Sequence, residues 1–162
     1  MEIVKAKSSD IVEIMYFVDV NFKESLNISL IKWINNLSLI EQFVNEESAY
    51  ILKEKNITKA IFIISNKMPD DYNALNVPQN NTLFVNLLLV HPLYKNHGIY
   101  NNIFSFIEDF AKSNNYKHII LDTISTNENL YSFLQIKNFT KTGTFYISLQ
   151  KIPFYYFTKQ LN

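Results

Sequence analysis

The sequence has no cysteine, no arginine and only two glycines among its 162 residues. Without cysteine there is no disulfide, no thiolate metal ligand and no thiol nucleophile. The three histidines, His91, His97 and His118, are too scattered to form a ligand cluster, so no metal is expected. The missing arginine removes the bidentate guanidinium contacts that read phosphates and bases, and fifteen lysines are matched by fifteen acidic residues. With no cationic excess, no nucleic-acid partner is expected. No apolar stretch approaches membrane-spanning length, and the opening MEIVKAKSSD lacks the apolar segment of a signal peptide. The chain is expected to be cytoplasmic, with no membrane partner.

What is present points to a folded core. Hydrophobic residues make up 48% and aromatics 15%, and neither a low-complexity tract nor a repeat interrupts them. The length suits a single domain over residues 1–162.

Residues 2–7 alternate like a strand, and Asp10 and Glu13 form an expected capping box before the helical spacing of Ile11, Ile14, Met15 and Val18. After a loop at 21–29, Ser29 precedes a second helical stripe of Leu30, Trp33, Ile34, Leu37 and Ile40. Residues 49–55 and 57–65, separated by Asn56, read as antiparallel strands, the second inside the sheet. A long turn-rich loop at 68–81 leads to a strand at 83–90, LFVNLLLV, whose continuous apolarity suggests a central position. Past Gly98, residues Ile99, Ile103, Phe106, Ile107 and Phe110 share one helical face. Then come a short strand at 118–123, a helix opened by a capping box of Ser125 and Glu128, and strands at 139–150 and 154–161 separated by Pro153. The order is βααβββαβαββ, which predicts a mixed α/β domain.

Gly98 stands between a central strand and a helix, in VHPLYKNHGIYNNI. A helix N-terminus there carries about half a positive charge on free N–H groups. Glycine lets a ligand approach the backbone, and Lys95 adds a cation, so the loop suits a phosphate or pyrophosphate. A plain strand-to-helix turn with a solvated lysine accounts for the same residues.

VHPLYKNHGIYNNIFSFIEDFAK resembles the acetyl-CoA-binding motif of the GNAT superfamily of N-acetyltransferases, in which a Q/R-x-x-G-x-G/A loop opens a long helix. Lys95 stands where Gln or Arg is usual, Gly98 matches the first glycine and Tyr100 replaces the second. NENLYSFLQIKNF resembles the family's later motif, with Asn127 and Phe139 in register and Asn138 in place of a glycine. The element order is also the family's, over essentially the whole chain. The resemblance implies a GNAT-like fold with a mixed sheet of about seven strands and about four helices. It implies acetyl-CoA as acyl donor, its pyrophosphate on the amides of Asn96, His97, Gly98, Ile99 and Tyr100. Backbone groups of Leu88, Leu89 and Val90 would pair with the pantetheine arm, on a strand splayed from its neighbour, and Asn127 would contact the same arm.

Three departures bear on mechanism. Tyr100 puts a ring at the helix start, which must point away from the pyrophosphate or stack near the nucleotide. Leu134 occupies the position of the usual tyrosine acid in the cofactor site, and leucine cannot donate a proton. Transfer can proceed without that acid, because a thiol with a pKa of about 8.5 is a tolerable leaving group. Tyr131, one turn earlier, is a candidate replacement, with half-buried packing on the helix the favoured reading. The strand at 83–90 carries no acidic base; a water held by Asn86, or Glu24, Asp70 or Asp71, are the candidates. His91 and His97 read as loop residues rather than bases.

The expected activity is direct acetyl transfer from acetyl-CoA to a primary amine of a small molecule or peptide, with a backbone N–H near Val90 holding the oxyanion. The acceptor would lie against the 21–29 loop, the 68–81 loop and the aromatic tail at 154–157. Homodimerisation is left open. The alternative is a noncatalytic acyl-CoA-binding or interaction module on the same fold.

Overall fold

The computed structural model describes residues 1–148 and 151–162. The expected strand at 139–150 ends in Leu149 and Gln150, which lie outside the described residues. The elements are β1 (Glu2–Lys5), α1 (Ile11–Ser25), α2 (Leu37–Asn45), β2 (Ala49–Glu54), β3 (Ile57–Ser65), β4 (Thr82–Val90), α3 (His97–Ser113), β5 (His118–Ile124), α4 (Glu128–Ile136), β6 (Thr140–Phe145) and β7 (Phe154–Gln160). This is the order βααβββαβαββ. The seven strands form a mixed sheet in the order β1-β2-β3-β4-β5-β7-β6, so β3 is internal and β4 central, as their apolar runs suggest. Among the described residues no helix is long and apolar enough to cross a membrane.

The helix starts differ from the expected ones. Asp10 does not cap α1: its Oδ2 accepts from the Lys7 N–H at 2.8 Å, closing a 3₁₀ turn at Ser8–Asp10. The stripe from Leu30 to Ile40 is two pieces, a 3₁₀ segment at Ile28–Trp33 and then α2. Asn35, at φ 53°, breaks the ladder between them, and Asn36 Oδ1 recaps it by accepting from Leu39 N–H. The opening of α4 is likewise capped by Asn127, not by Ser125 with Glu128. The expected 21–29 loop is largely helix, since α1 runs to Ser25 and ends at Leu26 with φ 51°.

The chain divides into two compact units, residues 1–63 with 87–99 and residues 64–86 with 100–162. In the first, β1 and β3 flank β2 in antiparallel register, and the β2–β3 hairpin turns through Lys55 and Asn56, both at positive φ. Positive φ at both central residues is the primed geometry whose twist matches the strands. Its core joins Ile14, Phe17 and Val18 of α1 to Ile40, Phe43 and Val44 of α2, with Trp33, Ile51, Ile61, Leu87 and Leu89.

In the second unit β4 starts parallel to β5, with Thr82, Leu83 and Phe84 opposite His118, Ile119 and Ile120. The last strand, β7, lies between β5 and β6 and pairs antiparallel with both. Tyr100, Ile103, Phe104, Ile107 and Ala111 of α3 are buried, as are Leu130, Phe133 and Leu134 of α4. The loop ahead of β4 is pinned by Tyr72, fully buried beside Phe84, Phe145 and Tyr156, whose hydroxyl donates to Asp122 Oδ2 at 2.5 Å.

Candidate functional site

β4 delivers the chain into a short, tightly held connection. The His91 N–H donates to Lys59 O at 2.9 Å, and His91 Nδ1 accepts from the Leu93 N–H at 3.3 Å, capping a 3₁₀ turn at Pro92–Tyr94. The His91 ring lies 5.6 Å from Phe17 and 5.3 Å from Tyr94, and the Lys59 ammonium sits 3.5 Å above the Tyr94 ring. His91 is thus a packing and capping residue, and this turn fixes where Lys95 emerges.

Lys95 Nζ donates to Glu24 Oε2 at 2.6 Å. The expected phosphate cation and one expected base candidate are therefore partners of one another. Asn96 follows as the N-cap of α3: its Oδ1 accepts from the Ile99 N–H at 3.0 Å while its Nδ2 donates to Tyr94 O at 3.0 Å. His97 opens α3, and its side chain lies outside the described residues. Gly98 is exposed and its φ is not positive, so its smallness serves space rather than a left-handed backbone. A Cβ at Gly98 would come within 3.1 Å of Asn96 Oδ1, crowding the cap.

The donor set fits an anionic group. A lysine and a helix start with an exposed glycine lie within residues 95–98, donor types that suit a pyrophosphate. Ahead of the loop Leu88 is half-buried while Leu89 and Val90 are buried, and none of the three carries a polar side chain. Ile99 is buried as well, and its N–H is taken by Asn96 Oδ1.

Tyr100 faces inward. It is 2% exposed, with its ring 5.4 Å from Phe133, so it neither covers the loop nor reaches toward a nucleotide. Leu134 is fully buried and presents no surface to a ligand. Asn127 Oδ1 is engaged by the Leu130 N–H at 3.3 Å, as the cap of α4. Tyr131 packs edge-on against Tyr155 and Phe157, and its hydroxyl meets Gln135 Nε2 at 3.5 Å, the geometry of a packing residue. Asn86 is tied at both ends, Oδ1 accepting from Ser65 Oγ and Nδ2 donating to Lys67 O, each at 2.8 Å. These two bonds orient the amide and give it a structural role linking β3, β4 and the segment after β3. Asp70 and Asp71 begin a 3₁₀ turn that leads into buried Tyr72.

Neither a protein-family model nor a curated protein matches the sequence. Solved structures do. An acetyltransferase of the GNAT family from Listeria monocytogenes matches with a TM-score of 0.75 at 18% identity, over 99% of this chain and 94% of that one. A GNAT-family acetyltransferase from Streptococcus pneumoniae matches with a TM-score of 0.75 at 15% identity, over 99% of each chain. The chain has the GNAT fold. A third match, yncA from Salmonella typhimurium, solved with its cofactor acetyl-CoA, has a TM-score of 0.74 at 14% identity over 99% of this chain and 94% of that one. At such identities the likeness is one of fold, and side-chain roles rest on this chain's own residues.

Within this GNAT fold, the second-motif departure at Asn138 is conservative in conformation. Asn138 has φ 60° just past α4, and the Phe139 N–H reaches back to Leu134 O at 2.9 Å, so asparagine supplies the left-handed turn a glycine would. The aromatic tail is core: Phe154 and Phe157 are fully buried, and Lys141 lies over the Tyr155 ring. Three contacts escape sequence reasoning: Glu24 with Lys95, Lys59 with Tyr94, and Tyr72 with Asp122. The Asn96 cap was accessible, since asparagine before a helical stripe is a favoured N-cap.

Proposed function

We propose that the chain is a GNAT-family N-acetyltransferase that uses acetyl-CoA to acetylate a primary amine. The observation that carries this reading is the segment from β4 to α3, in which Lys95 and the exposed backbone at Gly98 sit together at the start of a long helix, within this fold. The main chain of residues 96–99 and Lys95 would hold the phosphates, and main-chain groups of residues 88–90 would hold the pantetheine arm. The early end of the β4–β5 pairing supports this, because among the described residues the register stops at Phe84 and Val85 and Asn86 continue the strand beyond it.

When bound, acetyl-CoA would supply an acetyl thioester: a C–N bond to the amine would form as the C–S bond breaks, with CoA leaving as the thiolate and the amine's proton passing to solvent. The chain's contribution would be position, with a backbone N–H near Val90 as donor to the developing oxyanion. No side chain discussed above is placed as an acid: Leu134 is buried and Tyr131 packed. That observation favours the second reading, a CoA-binding module without turnover.

The experiment is thermal unfolding with increasing acetyl-CoA, followed by thiol release in the presence of an amine panel. At a concentration a hundredfold above Kd, binding should add about 2.7 kcal/mol, or roughly 5–11 °C in Tm for a chain of this size. Binding with thiol release on any amine supports the transferase. Binding without release from the whole panel supports the module, and absence of a shift at saturating ligand overturns both.

A further inference from the structure

The cation at the cofactor loop is occupied from within the chain. Glu24 lies in the last turn of α1, 71 residues before Lys95, and its carboxylate takes the ammonium at 2.6 Å. The helix ends two residues later at Leu26, whose backbone N–H closes on Phe22 O, so the carboxylate is held on a fixed scaffold rather than on a mobile loop. Lys95 is the more enclosed partner, its side chain 21% exposed against 44% for Glu24. In parallel, Asn96 Oδ1 takes the Ile99 N–H. A cation and a helix-start amide suited to a phosphate are thus both engaged by the protein's own oxygen atoms.

We propose that Glu24 is an internal competitor for Lys95 that sets the affinity for the phosphate-bearing donor. The inference rests on the acetyl-CoA reading above. A carboxylate and a phosphate cannot both approach one ammonium closely without repelling each other, so donor binding requires Glu24 to give up Lys95. Glu24 is then an affinity-tuning residue rather than a base, and its effect is confined to the phosphate end of the donor.

The test compares wild type, Glu24→Gln, Lys95→Met and the double variant by calorimetric titration with acetyl-CoA and with S-acetylpantetheine, which carries the thioester arm and no phosphate. Glu24 is exposed, so a cooperative ligand-free melting curve for Glu24→Gln, lowered by no more than about 2–4 °C for one lost surface ion pair, verifies the fold. Glu24→Gln should bind acetyl-CoA about fivefold more tightly, the scale of one released surface ion pair, and S-acetylpantetheine equally well. In the Lys95→Met background the gain should shrink to about twofold, leaving only relief of repulsion. Wild-type binding of acetyl-CoA with no gain in Glu24→Gln overturns the competitor role while leaving the acetyl-CoA reading intact, as does an equal gain for both ligands. Failure of both wild type and Glu24→Gln to bind acetyl-CoA overturns the acetyl-CoA reading and this inference with it.

Discussion

Tyr100→Ala puts a small residue where the family's loop motif has Gly or Ala, and so tests directly which way the ring faces. If the ring bordered the cofactor loop, its removal would tighten donor binding at little cost. The structure requires the opposite. Tyr100 is 2% exposed and 5.4 Å from Phe133, whose ring lies 5.3 Å from Phe104, so the truncation opens a cavity beside the two remaining rings. Losing a large buried aromatic costs about 3–5 kcal/mol, offset by roughly half a kcal/mol because alanine is the better helix former. For a chain of 162 residues, at about 2–4 °C per kcal/mol, Tm should fall by roughly 5–18 °C. Calorimetric melting measures that drop, and titration with acetyl-CoA well below the variant's midpoint should give the wild-type affinity. An unchanged Tm together with tighter binding would refute the inward placement.

Two further perturbations probe the second unit. Burial, then the charge and hydrogen bond of Asp122, hold the Tyr72 hydroxyl well above its ordinary pKa of 10.0, so the folded chain keeps a proton that the unfolded chain releases. Its stabilisation is complete below about pH 10 and is lost as pH rises toward the folded value; Tyr72→Phe should flatten this alkaline loss and cost about 1–3 kcal/mol near neutrality, and urea melts that lose stability equally in both proteins above pH 10 would show the reasoning wrong. At Gly143, an added Cβ would press into the Tyr156 ring, lying 2.7 Å from its hydroxyl oxygen; Gly143→Ala should therefore lower stability by about 1–3 kcal/mol in the same assay, and an unchanged midpoint would mean β6 and β7 yield freely at the bulge.

The order of elements was legible because each is announced by local periodicity. The run at 57–65 became a fully internal strand, and the stripe past Gly98 became α3. Misreadings cluster where asparagine acts as punctuation. The stripe from Leu30 to Ile40 keeps helical spacing across a break at Asn35, and hydrophobic spacing alone does not register a single left-handed residue. At the site, the loop and its glycine were legible for the same local reason. The pairings of Lys95 with Glu24 and of Tyr72 with Asp122 were not, since they span 71 and 50 residues and no local pattern in one sequence specifies them.

A chain with two glycines must meet glycine's several duties by other means, and the duties are separable. Both glycines provide room: Gly98 beneath the Asn96 cap and Gly143 beneath the Tyr156 ring, neither at positive φ. The left-handed positions fall instead to residues such as Asn35, Asn56, Asn81, Asn115 and Asn138, whose side chains tolerate that conformation. A departure from a glycine-based motif therefore matters only when the physical demand behind the glycine goes unmet. At Asn138 the demand is φ near 60°, and it is met. At Tyr100 the demand is open space beside the helix start, and turning the ring into the core meets it. Leu134 differs in kind, because the demand there is a transferable proton and no conformation of leucine supplies one. Under the proposed transferase reading, turnover would rest on positioning and on the thiol's own pKa of about 8.5, and acceptors whose amines are already deprotonated at neutral pH would be the ones served without a base.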